Sequence, residues 1–221
     1  LLKVGNPYLR PQFTTAYELA IQQDWGSLNA SLALYHRTIK DAYQRIYSID
    51  QSSGTYDIVN KIYSNTGKAS NTGGELIAHW KADKTLKLNA SLNAFRIRRD
   101  PANVTLLFPY VRIVTLSPSS DFTWDGKLGV EAALGKSTKM QLNGVYYAAR
   151  DIAQGSQAAR SALDLSLSRT FAKDRIKASL SATDIFNSFG SKTTVNGVGF
   201  DALYENYYET QAVMLSVEFK I

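Results

Sequence analysis

Apolar and polar residues alternate along most of the chain. In the stretch Leu86-Lys87-Leu88-Asn89-Ala90-Ser91-Leu92-Asn93-Ala94, leucines and alanines take one side while lysine, asparagines and serine take the other. That period of two belongs to an extended strand and not to a helix. The pattern returns from Leu28 to Leu34, from Leu163 to Ser168, from Ile176 to Thr183 and from Val213 to Lys220. It predicts about ten strands, over 14–23, 28–46, 56–65, 72–82, 86–98, 121–134, 139–150, 161–171, 175–186 and 206–221. The segment 106–114 stays ambiguous, because Pro109 argues against a central strand.

Short and long connections separate the runs in turn. The short ones carry turn chemistry, as in Asp24-Trp25-Gly26-Ser27, Ala82-Asp83-Lys84-Thr85, Gly135-Lys136-Ser137-Thr138 and Ala172-Lys173-Asp174-Arg175. The long ones, 47–56, 98–120, 150–160 and 188–206, are polar and irregular. Nothing in the pattern suggests a second domain, so residues 1–221 are read as one all-β domain, whether barrel or sandwich.

Alternation fits a soluble sandwich as well as a membrane barrel. Sandwich strands average about 5–6 residues, and several runs here are longer. Membrane barrels require strands of about 9–11 residues, short turns at one end, long loops at the other and aromatic girdles at both. Trp25, Trp80 and Trp124 fall near strand ends, where their rings suit the lipid headgroup level, and Phe186 and Phe189 are expected to join them there. Which face of the sheet points inward is not fixed by periodicity, since a soluble lipocalin-like barrel inverts the same pattern.

Composition narrows the choice. The chain has 221 residues and no cysteine, which removes a disulfide framework and thiolate metal sites. No window approaches the roughly 18 consecutive apolar residues of a transmembrane helix. The opening Leu1-Leu2-Lys3-Val4-Gly5-Asn6-Pro7 lacks the pattern of an export signal, as expected of a cytoplasmic protein or of a processed or truncated piece. The net charge is +6, with Lys81, Arg96, Arg98 and Arg99 grouped around one hairpin. A nucleic-acid surface needs a binding fold as well as charge, and contact with lipid phosphates is the simpler reading.

Two stretches resemble a known family. The opening Gly5-Asn6-Pro7-Tyr8-Leu9-Arg10-Pro11-Gln12-Phe13-Thr14-Thr15-Ala16-Tyr17-Glu18-Leu19 looks like the segment that begins the later barrel strands of TonB-dependent outer-membrane receptors. The closing half, "LDLSLSRTFAKDRIKASLSATDIFNSFG" through "YYETQAVMLSVEFKI", resembles the last strands of the same outer-membrane β-barrel family, in which a "DIFN"-like element ends the penultimate strand. The resemblance implies an antiparallel up-and-down transmembrane β-barrel in the bacterial outer membrane, here the C-terminal part of a 22-stranded barrel. It also implies partners: outer-membrane lipid, a plug domain and the TonB complex acting through the intact parent. The imported ligand would be a siderophore, cobalamin, sugar or peptide. A small complete barrel acting as a porin or adhesin is the alternative.

Candidate chemistry is sparse. Of two histidines, His36 reads as a rim residue and His79 as a hydrogen-bonding residue of the polar face, and neither has a catalytic partner nearby in sequence. No enzyme activity, cofactor or metal ligand set is expected. Gly73-Gly74 and Gly197-Val198-Gly199 lack the strand-to-helix setting of a phosphate loop. Candidate ligand contacts lie in the long loops: Tyr47 and Tyr56, then Arg98, Arg99 and Tyr110, then Phe200 and Tyr204. Asp184 continues the register of Ile176, Ala178, Leu180 and Ala182, where a charge opposes lipid, so it is expected to mark the membrane boundary.

Overall fold

The computed structural model describes residues 2–51, 54, 57–107, 111–173 and 175–220, apart from the side chains of Leu2 and Val4. In chain order the strands are β1 (Leu2–Val4), β2 (Phe13–Asp24), β3 (Leu28–Lys40), β4 (Tyr43–Asp50), β5 (Ile58–Asn65), β6 (Ala69–Lys81), β7 (Leu86–Arg99), β8 (Ala102–Leu106) and β9 (Arg112–Leu116). They continue as β10 (Ser119–Ala133), β11 (Thr138–Tyr147), β12 (Arg150–Ile152), β13 (Gly155–Gln157), β14 (Arg160–Phe171), β15 (Ile176–Thr183), β16 (Ser191–Gly197), β17 (Phe200–Asn206) and β18 (Ala212–Phe219).

Nine of these strands form one antiparallel wall in the order β18-β15-β14-β11-β10-β7-β6-β3-β2. Tight turns join the wall strands at one end. In the first, the Asp24 carboxylate accepts the Gly26 N–H at 2.7 Å and Gly26 takes φ 77°, a conformation open to glycine at little cost. In the second, Asp83 accepts from Thr85 N, Thr85 Oγ1 and Leu86 N. At the other end the connections fold into hairpins of their own: β4/β5, β8/β9, β12/β13 and β16/β17.

The pattern of alternation therefore identified strands without separating wall from loop. The run 28–46 is two strands, broken where Asp41 takes φ 52° and the chain leaves the wall. The run 56–65 lies in a loop hairpin, so the wall has nine strands among the described residues instead of ten. Part of the irregular segment 98–120 is the hairpin β8/β9; its Phe108, Pro109 and Tyr110 lie outside the described residues.

The densest apolar packing is in the loops. Ile46 and Ile62 from β4/β5 meet Val104, Leu106, Val114 and Leu116 from β8/β9, and Ala153 packs against them from the β12–β13 turn. On the wall, apolar side chains stay uncovered: Leu34 is 54% exposed, Leu128 51% and Leu215 72%. Both edge strands, β2 and β18, run from the loop end towards the turn end, as their pairing shows: Phe13 and Ala212 stand at the loop end, Asp24 and Phe219 at the turn end.

Candidate ligand-binding site

Register separates the two faces of the wall. Leu88, Ala90 and Leu92 of β7 align with Val130, Leu128 and Gly126 of β10, while Asn89, Ser91 and Asn93 align with Gly129, Lys127 and Asp125 on the opposite face. Every aspartate and glutamate within the nine wall strands, from Glu18 to Glu218, falls on this polar face. The loops fold over that side. Thr123 Oγ1 donates to Ala149 O at 3.0 Å, Asp121 accepts the Asp151 N–H at 2.9 Å, and Arg150 pairs with Asp125 at 2.5 Å. The polar face is thus the inner one.

Near the loop end the inner face of the wall is crowded at Gly73. A Cβ there would stand 2.5 Å from Phe95 Cβ and 2.8 Å from Tyr35 Oη. Lacking one, the position lets the Tyr35 ring cross the strand and donate to Asn93 Oδ1 at 2.9 Å, with the Arg37 guanidinium 4.5 Å from the ring centroid.

Above this level three loop hairpins meet at Gln154. Its side-chain amide mimics a strand partner: the Tyr47 N–H donates to Gln154 Oε1 at 2.7 Å, and Gln154 Nε2 donates to Tyr47 O at 3.1 Å. Its own carbonyl accepts the Asn196 N–H of β16 at 3.0 Å. Gly155 makes the close approach possible, since a Cβ there would lie 2.1 Å from Thr194 O. Tyr47 stacks on Tyr204 with centroids 5.8 Å apart and planes at 21°. Burial raises the pKa of both phenols, with Arg45 opposing the shift at Tyr47. Both stay protonated donors at neutral pH, and the buried Tyr204 hydroxyl has no hydrogen-bond partner among the described residues.

A cavity of about 200 Å³ opens beside Tyr47, lined by Arg45, Arg99, Gln157 and Thr193 among others. Arg99 is held in place by Ser119 Oγ at 3.2 Å and Asp151 O at 3.0 Å. Arg45 donates to Tyr63 Oη at 2.7 Å. Two guanidinium groups and the Tyr47 phenol converge here, a set suited to holding a polar or anionic ligand by hydrogen bonds.

The model of the outer membrane protein beta-barrel family matches residues 1–219. The chain belongs to that family. As a member, it is an outer-membrane protein that crosses the bilayer with strands. Two solved structures share the fold of this family member. The copper transporter OprC aligns with a TM-score of 0.63 and 16% identity, over 96% of this chain and 32% of that one. The FrpB iron transporter from Neisseria meningitidis (F3-3 variant) aligns with a TM-score of 0.53 and 14% identity, over 97% of this chain and 32% of that one. The barrel segment thus spans about a third of the length of either transporter. No curated protein matches it at a significant level.

Within this family barrel, the residues singled out by sequence separate. Tyr47 and Arg99 share the cavity, and Tyr204 joins them through its stack on Tyr47. Arg98 stands on the outer face, because it is one residue out of phase with Arg99 and aligns with Ser70 and Ser120. Phe200 lies over Gly197 at the tip of β16/β17. Tyr56 and Tyr110 lie outside the described residues. Gln154 and Arg45 escape sequence reading, since a lone glutamine in a polar loop and an arginine in a merged strand carry no periodic signal.

The aromatic anchors also divide. Trp25 and Trp80 stand at the turn end, and Trp124 stacks on Tyr146 at the loop end of the outer face, with Phe186 beside them. Phe189 is placed differently from the expected lipid contact. It packs on the inner face, 6.2 Å from Tyr147 by ring centroid and 4.8 Å beneath the Arg160 guanidinium. The cause is local: Asp184 and Asn187 take φ 43° and 49°, which turns the chain inward after Phe186.

Asp184 itself anchors the end of β15. Its buried carboxylate accepts from Ser188 N at 3.0 Å, Phe189 N at 3.2 Å and Thr210 Oγ1 at 2.5 Å. Burial pushes its pKa up, and the hydrogen bond from Thr210 with those from the two backbone N–H groups outweighs that and leaves it below the ordinary aspartate value. Gln211 Nε2 adds a bond to Ile185 O at 2.9 Å and Thr183 Oγ1 one to Thr210 O at 2.7 Å. Together these contacts fix where β18 enters the wall. His36 bonds Thr72 Oγ1 at 2.7 Å on the outer face, and His79 bonds Asn89 Oδ1 at 2.8 Å on the inner face.

Proposed function

We propose that this chain is part of the wall and loop cap of a TonB-dependent transporter, whose intact form imports a ligand across the outer membrane. The observation that carries the reading is the parity of the wall. β2 and β18 are its two edges and run in the same direction, so nine strands cannot close with antiparallel pairing throughout. Closure needs at least one strand of opposite direction between them, which favours a segment of a larger barrel over a small self-contained porin or adhesin. In this reading residues 1–221 form one barrel unit, with the plug and the TonB-contacting segment elsewhere in the parent.

The transporters OprC and FrpB, named for copper and iron, share the fold and support transport as the class of activity. Among the described residues, no group of three or more His, Cys, Asp or Glu side chains could hold a metal ion. The cavity beside Tyr47, with Arg45 and Arg99, suits an organic ligand carrying acceptor oxygens.

Uptake by cells producing the intact protein tests the proposal, with radiolabelled cobalamin, a ferric siderophore and a maltooligosaccharide as probes. The expected result is saturable uptake of one probe that stops when a protonophore collapses the inner-membrane gradient and falls at least about tenfold in Arg99→Ala, the cost of losing a charged hydrogen bond. Non-saturable uptake that ignores the protonophore would instead identify a porin.

A further inference from the structure

We propose that the outer face of β6, β7 and β10 carries a binding site for the phosphate of a lipid headgroup in the outer leaflet, built on Arg96 and Arg98. The site is distinct from the ligand cavity and does not depend on the transport reading. It rests on the outer face being the one that meets lipid.

The chemistry of that face is one-sided. The outer register of the nine wall strands contains Lys40, Arg96, Arg98 and Arg169 and not a single aspartate or glutamate. Arg96 and Arg98 make no hydrogen bond or ion pair with any described residue, and both are exposed. The nearest carboxylate along the strand is Asp100, one step past β7 and opposite Lys68, to whose carbonyl its N–H donates at 3.1 Å. Hydroxyl side chains stand on both sides of Arg98 and on one side of Arg96, whose other neighbour is Phe122. Arg98 lies between Ser70 and Ser120, and Arg96 lies beside Thr72, which His36 orients through its 2.7 Å bond.

Depth places the pair at the membrane boundary. Leu86, Leu88, Ala90, Leu92 and Ala94 form the outward apolar column below Arg96. The ten-residue step from Leu86 to Arg96 covers about 33 Å along a strand, or about 25 Å across the membrane at a tilt of ~40°, the height of a barrel's apolar band. Trp124, paired with Ala94, marks the aromatic girdle one step beneath. The long hairpins at this end are those of an extracellular side, so the pair faces the outer leaflet. Two same-face arginines about 7 Å apart, with hydroxyls beside them, offer the forked donors that a phosphate monoester or diester accepts.

The test is native mass spectrometry of the protein extracted from outer membranes in mild detergent, followed by titration with a phosphorylated outer-leaflet glycolipid, its dephosphorylated form and inorganic phosphate. The wild type is expected to retain the phosphorylated lipid and to bind it at least about tenfold more tightly than the dephosphorylated form, the scale of two charged hydrogen bonds partly screened by water. R96Q/R98Q should lose that preference, whereas Arg169→Gln, near the turn end, should keep it. Equal binding of the two lipids by the wild type overturns the proposal, as does inorganic phosphate competing at the lipid's own concentration. The wild-type arms decide the question even if the double variant fails to fold.

Discussion

Ile46 in the loop cap is completely buried among five other apolar side chains, whereas Leu34 on the wall keeps 54% of its surface uncovered. Both belong to alternating strands of similar composition. The cap behaves as a small water-soluble domain, hiding its apolar side chains from water within itself. The wall puts its apolar side chains outward, where lipid supplies the apolar contact, and keeps its carboxylates inside. One rule, that apolar surface avoids water, produces opposite arrangements because the solvent differs at the two levels.

Substitutions can break this contrast at either level. Leu106→Ala in the cap core should cost about 2–5 kcal/mol locally and expose β8/β9 to protease on intact cells, while heat-modified mobility of the barrel stays unchanged. Loss of the whole barrel would instead mean that cap and wall fold as one unit. On the wall, Leu128→Arg near the middle of the outer column should cost about 2–4 kcal/mol, measured by urea unfolding in lipid vesicles, and Ser91→Arg on the inner face close to nothing. Equal costs would show that the faces are not distinguished by solvent.

The boundary between the two levels should respond more mildly. Asp184→Asn should weaken the junction of β15 and β18 by about 1.5–3 kcal/mol, read as faster hydrogen exchange of the β18 amides. Because folding lowers the Asp184 pKa, its contribution is complete above the ordinary aspartate value and is lost as pH falls through the lower, folded value. Exchange in β18 should therefore accelerate on acidification in the wild type and change little in the variant. The smallest effect is expected for Gln154→Leu, which removes both bonds to the Tyr47 backbone and costs about 1–3 kcal/mol, seen as loss of protection at the Tyr47 amide with the wall unaltered.

Much of the wall was legible from alternation alone, because lipid on one side and water on the other imposes a period of two over long strands. The same pattern misled at 28–46 and 56–65. A loop hairpin with one face on a small core alternates just as a wall strand does, and only the left-handed backbone at Asp41 separates β3 from β4. The direction of the faces was not legible either; it emerged from loop contacts such as Thr123 with Ala149 and Arg150 with Asp125. Of the candidate site, Tyr47, Arg99 and Tyr204 could be named as loop residues, but their meeting depends on Gln154, which bridges 107 residues of sequence to reach Tyr47. Phe189 shows the limit most clearly. Its aromatic character suggested lipid, and two positive φ angles at Asp184 and Asn187 sent it inward.

The assignment of faces is the claim on which the rest depends, and the absence of native cysteine makes it directly measurable. Single cysteines placed in turn at positions 88 to 93, spin-labelled in lipid vesicles, would report collision with oxygen, which concentrates in lipid, and with a water-soluble nickel chelate. The account predicts oxygen contact at Leu88, Ala90 and Leu92 and chelate contact at Asn89, Ser91 and Asn93, with a period of two throughout. The reverse phase, or chelate contact at every position, would contradict it.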